Sequence, residues 1–553
     1  MFKDSGGNKI SYKKAKTIDL HRWQQASDDE QIRLVETLNV MQYLPHSDLP
    51  PNTKPTYFNQ VCSEKRSEKG LDARVRGTLG GDRLPKTYDV TAYTSDMTTK
   101  KILLNHCVSN DHYFVVIDIK DFFVNSLHKL DSPCYMYINR ADISENIIKR
   151  FNLHNLADYQ NRFLVKVTGA LYGHPAAARI SQINLNKLLI ANGYYETEIK
   201  CLWKSTDPTN QILFSTHVDD FGISTPSHDK AQELINVLEQ GGYIISHKDF
   251  KGTKYCGWTI HHDRVQRTLL LTMPDYVEAL LARFSHLNID TLGGVDNPIK
   301  YTPPSYGQKI KSSHTDTSPT LSASDIKLIQ EILGCVLFLC VSIRIDLATA
   351  INIVASNQSN PTEEVKAAAI LILRYLKKHP NRGLEFKASD MILKCHSDAS
   401  FGSSSGFRSR SGGIYYFGNK HDNMINGPVQ ILSSIQKTIS ASVAEAEYIA
   451  LFDNGQNVLA IANTLLAITY PAQVPTIYTD NECAVNMAND DIKQRRTKAI
   501  DMRYHWTRHQ IREQKLIIKW IQASDNLADF FTKALPTHLH LAFMNLFTVF
   551  IPP

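Results

Sequence analysis

Leu213-Phe214-Ser215-Thr216-His217-Val218-Asp219-Asp220-Phe221-Gly222-Ile223 is two short apolar, β-prone runs that meet at a pair of adjacent carboxylates. The pattern predicts a hairpin carrying both acids at its tip. Side chains alternate along a strand, so neighbouring aspartates cannot both face one core, and an ionised carboxylate without a partner is costly to bury. The pair calls for solvent or for a metal ion. Well upstream, Tyr113-Phe114-Val115-Val116-Ile117-Asp118-Ile119 places a further aspartate on an almost wholly apolar strand. A shared divalent cation relieves all three. Hard cations such as Mg2+ take carboxylate oxygens, and two of them about 3.5 to 4 Å apart clamp the attacking and leaving oxygens of a phosphoryl transfer. Acidic hairpin tips are common, so the order of the neighbouring motifs has to decide.

Asp118 is followed by Lys120-Asp121-Phe122-Phe123, then by Gly169-Ala170-Leu171-Tyr172-Gly173, then by the His217-Val218-Asp219-Asp220 tip. In this order the segments resemble the reverse transcriptases of Ty1/copia-type LTR retrotransposons. The resemblance implies an α+β multidomain chain. It expects a right-hand polymerase with fingers, a palm on an antiparallel sheet and a thumb, then a connection and a C-terminal α/β RNase H fold.

Composition fits such a chain without requiring it. The 553 residues suffice for roughly three or four domains. With 42% hydrophobic and 21% charged residues, sizeable cores are available, and a net charge of +6 permits nucleic-acid binding. The longest apolar stretch, Ile332 to Val341, is about half of the roughly 20 residues a membrane helix needs, so no membrane partner is expected. Nine scattered cysteines without a Cys-x-x-Cys pair argue for a reducing compartment and against structural zinc. Asp4-Ser5-Gly6 lacks the apolar flanks of an aspartic-protease triplet. Without an integrase zinc site or a full protease, the chain is expected to be a piece of a larger polyprotein. The expected location is cytoplasmic, in a virus-like particle, with the nucleus as the alternative.

The expected divisions are a flexible N-terminus at 1–20, reverse transcriptase fingers and palm at 21–260, and a thumb-like helix with linker at 261–320. A helical connection at 321–388, an RNase H domain at 389–537 and a tail at 538–553 follow. Within the polymerase the resemblance assigns Asp118, Asp219 and Asp220 to metal and catalysis. Arg74 and Arg76 match a basic fingers segment that neutralises the incoming triphosphate, with plain surface arginines as the alternative. Phe123 falls where an aromatic ring under the sugar selects deoxynucleotides. Tyr172 lies in the segment that touches template and nucleotide, where His174-Pro175 replaces the family's Lys-Gln. His217 stands where the family has tyrosine and is expected to alter primer packing. Trp258, in Tyr255-Cys256-Gly257-Trp258-Thr259-Ile260, falls on a strand at the primer end.

A second acidic series follows. Asp398 ends the strand from Leu393, Glu445 and Glu447 lie on a helix, Asp480 ends the strand from Ile477, and Asp529 lies just beyond the strand Leu516 to Ile521. Strand Asp, helix Glu, strand-end Asp and late Asp is the acid order of an RNase H fold. The surrounding Glu-Ala-Glu-Tyr and Leu-Ala-Asp-Phe-Phe-Thr-Lys-Ala-Leu-Pro are copia-like. Two glutamates two residues apart on a helix point about 200° apart, so only one can face the metal pair. The apolar face through Val443, Ala446, Ala450 and Leu451 favours Glu447, with Glu445 as the fallback. In the segment Arg496 to Trp506, Ala499 replaces the family's first histidine, leaving His505 as proton shuttle or substrate contact.

The reading is thus an RNA- and DNA-directed DNA polymerase with RNase H activity. Each centre is expected to use two Mg2+ ions, with Mn2+ as a substitute, on RNA template, DNA primer, RNA–DNA hybrid and dNTPs. Integrase or capsid proteins of the same element, and a second copy, are further expected partners. The alternative is a decayed or domesticated protein of this fold that binds nucleic acid or retains RNase H alone.

Overall fold

The computed structural model describes residues 10–67, 70–85, 90–125, 127–303, 316–422, 424–471, 473–489 and 501–551. Asp4-Ser5-Gly6, residues 304–315 of the expected linker and residues 496–500 of the basic segment lie outside the described residues.

Four sheets organise these residues. In the first, Met41–Leu44, Arg162–Gly169, Lys129–Asn139, Thr56–Ser67 and Gly70–Leu79 lie side by side in that order, the last two as a long hairpin. The second is antiparallel, in the order Ile245–Asp249, Tyr113–Ile119, Asp220–Thr225, Leu213–His217, Leu202–Ser205 and Tyr194–Glu196. Apart from Asp118 near its end, its strand Tyr113–Ile119 is almost wholly apolar because both faces are covered. Val115, Ile117 and Ile119 share a core with Leu185, Leu189, Leu234 and Leu238 of the helices Ala177–Ala191 and His228–Gln240. Phe114 and Val116 share another with Ile102 to Val108 of the helix Met97–Ser109.

The third sheet runs Lys254–Tyr255, Trp258–Asp263, Thr268–Thr272, Arg382–Lys387 and Val549–Phe550. Two expected divisions differ from this sheet, and a third from the N-terminal helix. The boundary between 260 and 261 falls inside a strand. Of residues 538–553, expected as a tail, those described complete a helix, Thr537–Phe547, and supply the edge strand Val549–Phe550; His540, Met544 and Phe547 recur at helical spacing and are buried. Near the N-terminus, Tyr12–Ile18 is a helix capped by Ser11 that buries Tyr12 and Ala15.

The fourth sheet, in the order Pro428–Ile435, Arg408–Gly418, Ile392–Ser404, Thr476–Thr479 and Ile517–Trp520, is antiparallel across its first three strands and parallel across its last. The helix Val443–Ala467 makes the crossover to the parallel half. This is the α/β order expected for the C-terminal domain. One continuous apolar core, from Ile102 to Phe547, joins the helices Met97–Ser109, Ala323–Ser342 and Glu363–Lys378 and this sheet. Polar contacts reinforce the joint: Thr98 Oγ1 donates to Gln430 Oε1 at 3.3 Å, and Lys101 Nζ donates to the Val341 carbonyl at 2.8 Å.

The segment Ile343-Arg344-Ile345-Asp346-Leu347 of the helical connection contains a fully buried ion pair. Arg344 donates from Nε and Nη2 to the two Asp346 oxygens, at 3.0 and 2.8 Å, and from Nη1 to the His379 carbonyl at 2.7 Å. The Tyr375 hydroxyl adds a bond to Asp346 Oδ2 at 2.7 Å. Burial alone pushes the Asp346 carboxyl up, but the Arg344 charge and these hydrogen bonds outweigh it and hold it below 3.8. Asp346→Ala strands a buried guanidinium and is expected to cost about 3–5 kcal/mol in denaturant unfolding. Because the folded-state value is depressed, this stabilisation is present above the ordinary carboxylate range and is lost as pH falls through the folded value. An Arg344→Met/Asp346→Leu double variant as unstable as Asp346→Ala contradicts this account.

Candidate active sites

At the hairpin the two strands end at His217 and begin again at Asp220, leaving Val218 and Asp219 as the tip. Val218 has a φ of +63°, a conformation that strains a β-branched residue and that the flanking strands must hold. The tip folds onto the neighbouring strand: Ile119 N–H donates to the Asp219 carbonyl at 3.0 Å, and Asp220 lies directly opposite Asp118 in the antiparallel ladder. All three carboxylates are half-buried. Burial, then the charges of Asp219 and Asp118, push Asp220 up to about 6. Asp219 is raised too, by burial and by Asp118, while Arg76 pulls it back. Ser246 Oγ donates to Asp118 Oδ2 from the adjacent edge strand, a partner that no sequence signal marked.

Arg76 is exposed on the hairpin strand Gly70–Leu79 with its guanidinium 5.3 Å from the Tyr172 ring, and Tyr172 lies edge-on to Phe123 at 6.4 Å. Arg74, two residues earlier on the same strand, is half-buried. The first sheet can approach Tyr172 because position 173 is glycine. Its φ is +89°, and a Cβ there would lie 2.1 Å from the Leu79 carbonyl oxygen. Leu79 N–H donates to the Tyr172 carbonyl at 2.7 Å. Arg33, also missed in the sequence, pairs with Asp121 at 2.6 Å and with Glu30 at 2.6 Å, fixing the loop after Asp118 to the base of this hairpin. His174 is used locally: its Nδ1 accepts from Ala176 N–H at 3.2 Å.

Two expected contacts stand differently. Trp258 is 1% exposed and shares the apolar core with Tyr255, so its indole cannot touch a primer. The alternation of its strand placed it on the inner face. His217 is half-buried and its Nδ1 lies 3.0 Å from Lys100 Nζ, an interaction inside the protein.

The C-terminal acids converge more tightly. Among the described residues, Asp398, Asp480 and Asp529 form one group whose oxygens lie within 4.8 Å of one another. Asp398 is 2% exposed on the long central strand, opposite Gly412. Asp480 follows the parallel neighbour Thr476–Thr479, and Asp529 lies on the short 3-10 turn Leu527–Phe531. Asn526 pins that turn by donating from Nδ2 to the Ser397 carbonyl at 3.0 Å. Glu447, one turn into its helix, is 4% exposed. Burial, then the charges of Asp398 and Asp480, push its carboxyl far up. Its Oε2 is buried with no hydrogen-bond partner among the described residues. Glu445 is engaged elsewhere, at the helix start: its Oε2 accepts from Ala441 N–H at 2.7 Å, just before the N-cap Ser442, whose Oγ accepts from Glu445 N–H, a variant of the capping box. His505 is exposed on the helix Asp501–Arg512, its ring 5.7 Å from that of Tyr504, and is not part of the acidic group. Lys533 was within a quoted motif yet missed: its Nζ lies 2.8 Å from Asp529 Oδ1 and 3.5 Å from Asp398 Oδ2.

The donor set fits divalent cations. Clustered hard oxygens and an orphaned buried carboxylate oxygen at Glu447 are what such an ion satisfies.

No protein-family model matches the chain. It is 27% identical over 502 residues to the retrovirus-related Pol polyprotein from transposon TNT 1-94 of Nicotiana tabacum, a match covering 88% of this chain and 35% of the relative. It is also 27% identical over 383 residues to the Pol polyprotein from transposon RE1 of Arabidopsis thaliana, covering 68% of this chain and 24% of that one. The chain therefore spans about a quarter to a third of the length of these curated relatives. Among solved structures, the prototype foamy virus protease-reverse transcriptase overlaps 92% of this chain and 55% of its own at a TM-score of 0.25 and 12% identity.

Proposed function

We propose that this relative of the Pol polyproteins of copia-type retrotransposons is a DNA polymerase that copies RNA and DNA templates and, in its C-terminal domain, hydrolyses the RNA strand of the resulting hybrid. The observation that carries the reading is the pair of acidic centres built from separate elements, Asp118 facing Asp220 beside the Asp219 tip, and Asp398, Asp480 and Asp529 beside Glu447.

Each set of acids would hold two Mg2+ ions, or Mn2+, which when bound neutralise the charge that builds on a transferring phosphoryl group. The chain's own side chains supply the rest. In this reading Arg76, its guanidinium 5.3 Å from the Tyr172 ring and its charge felt by Asp219, meets the triphosphate of a dNTP, with Arg74 two residues earlier on the same strand as the second candidate. In the C-terminal centre the acids orient an attacking water towards the RNA strand. Contacts to template, primer and hybrid are expected to run mainly to phosphates and duplex shape, hence to weaken with salt. Integrase or capsid proteins, a second copy and a virus-like particle as the site of action belong to the same reading.

Phe123 and Tyr172 form the floor of the nucleotide pocket in this reading. Phe123→Val or Phe123→Ala opens space at the 2′ position and is expected to raise rNTP use relative to dNTP by roughly tenfold or more. Single-nucleotide kinetics that leave the ratio unchanged return Phe123 to a purely packing role.

The reading is tested by extension of oligo(dT) on poly(rA) with dTTP beside release of labelled RNA from a hybrid. Both activities are expected, and both are expected to stop when divalent ions are chelated. Hydrolysis without extension favours an RNase H that has lost its polymerase; neither activity, with hybrid still bound, favours a nucleic-acid binder.

A further inference from the structure

We propose that Lys533 is a tethered cation that occupies the C-terminal acidic centre when no divalent ion is bound, must withdraw when one binds, and thereby sets the metal affinity of the centre. The inference rests on the hydrolytic reading of that centre.

Three carboxylates with oxygens within 4.8 Å of one another, one of them on the 2%-exposed Asp398, repel strongly where little water reaches them. Removing that repulsion needs positive charge. Lys533 supplies it from one turn beyond Asp529, with Nζ 2.8 Å from Asp529 and 3.5 Å from Asp398. Thr532, its neighbour, donates from Oγ1 to the same Asp398 oxygen. The two side chains thus hold acids that a divalent ion would otherwise hold.

The lysine is nonetheless free to leave. Its side chain is 37% exposed, against 2% for that of Asp398, so the flexible stem can carry the ammonium out to water while the acids stay fixed by their strand and turn. An ammonium and a divalent ion cannot both sit against Asp398 and Asp529. Occupation by one therefore costs the other, and the lysine lowers the apparent affinity for metal while stabilising the metal-free fold.

The test is a calorimetric titration of the full chain with Ca2+ in metal-free buffer, in an Asp219→Asn/Asp220→Asn background that removes the palm's contribution. Lys533→Met is expected to bind Ca2+ roughly tenfold more tightly or better than its parent, and Lys533→Arg, which keeps the charge, to stay near the parent. Thermal unfolding without Ca2+ is expected at lower temperature for Lys533→Met, with recovery when Ca2+ is added. A lysine that is only a structural ion pair moves the melting temperature but leaves Ca2+ affinity unchanged or weaker; that result overturns the proposal. If Lys533→Met does not fold, Lys533→Gln is judged by the same criterion. If the parent binds no Ca2+ and behaves like an added Asp480→Asn variant, the metal-centre reading fails and the proposal with it. Ca2+ binding that is lost in Asp480→Asn but indifferent to Lys533 removes only the lysine's role.

Discussion

Asp219→Asn is expected to reduce template-directed DNA synthesis by about three orders of magnitude or more, because losing a metal ligand forfeits several kcal/mol of transition-state stabilisation and each 1.36 kcal/mol is tenfold in rate. The change is nearly isosteric and local. Asp219 sits at the tip of the hairpin, its carbonyl bonded to Ile119 N–H through the backbone, so the fold of the tip does not depend on the carboxylate. Hybrid binding and RNA hydrolysis are expected to persist, since the second centre belongs to a different sheet. Extension at near wild-type rate, measured on the same primer-template, removes Asp219 from the reaction.

The second large effect is expected at Glu447. Glu447→Gln should abolish hydrolysis of RNA in a hybrid, again by about three orders of magnitude, and leave DNA synthesis intact. Glu447 is buried beside Asp398 and Asp480, and one of its oxygens has no hydrogen-bond partner among the described residues. Glu445→Gln is expected to be mild. Its carboxylate serves the capping box, a position where glutamine is also accepted. Both variants are compared after circular dichroism shows them folded. The reverse pattern places the metal ligand at Glu445 and shifts the helix register by two.

How much of this was legible in the sequence follows from what each residue has to do. The acids were readable because ionised groups at the ends of apolar strands have no bland place in a core, and their order along the chain was distinctive. Helical periodicity points Glu447 rather than Glu445 inward, and the structure buries Glu447 beside Asp398 and Asp480 while Glu445 bonds at the helix start; the paired hydrolysis assay decides which holds metal. Trp258 shares the buried face of its strand with Ile260 while Thr259 and His261 face the other way; the motif resemblance located the strand, and its alternation, which gives the face, points Trp258 inward. The expected division at 260/261 cuts the strand Trp258–Asp263, which continues as a hairpin into Thr268–Thr272; the further pairing of Thr268–Thr272 with Arg382–Lys387 is a long-range contact that no local composition shift announces. Residues 538–553 were taken for a tail although His540, Met544 and Phe547 recur at helical spacing, a signal that was present and not used. Ser246 and Lys533 reach their carboxylates only through tertiary packing, so single-sequence spacing could not have assigned them.

The central claim is that one chain carries two separate carboxylate centres for divalent metal. The most direct measurement is anomalous scattering from crystals of the full chain, with an RNA–DNA hybrid and Mn2+, collected at the manganese edge. Peaks are predicted at about 2.1 Å from oxygens of Asp118, Asp219 and Asp220, and of Asp398, Glu447, Asp480 and Asp529, with Lys533 withdrawn from the second group. A map with hybrid bound across the protein and no peak at either group of acids contradicts the account.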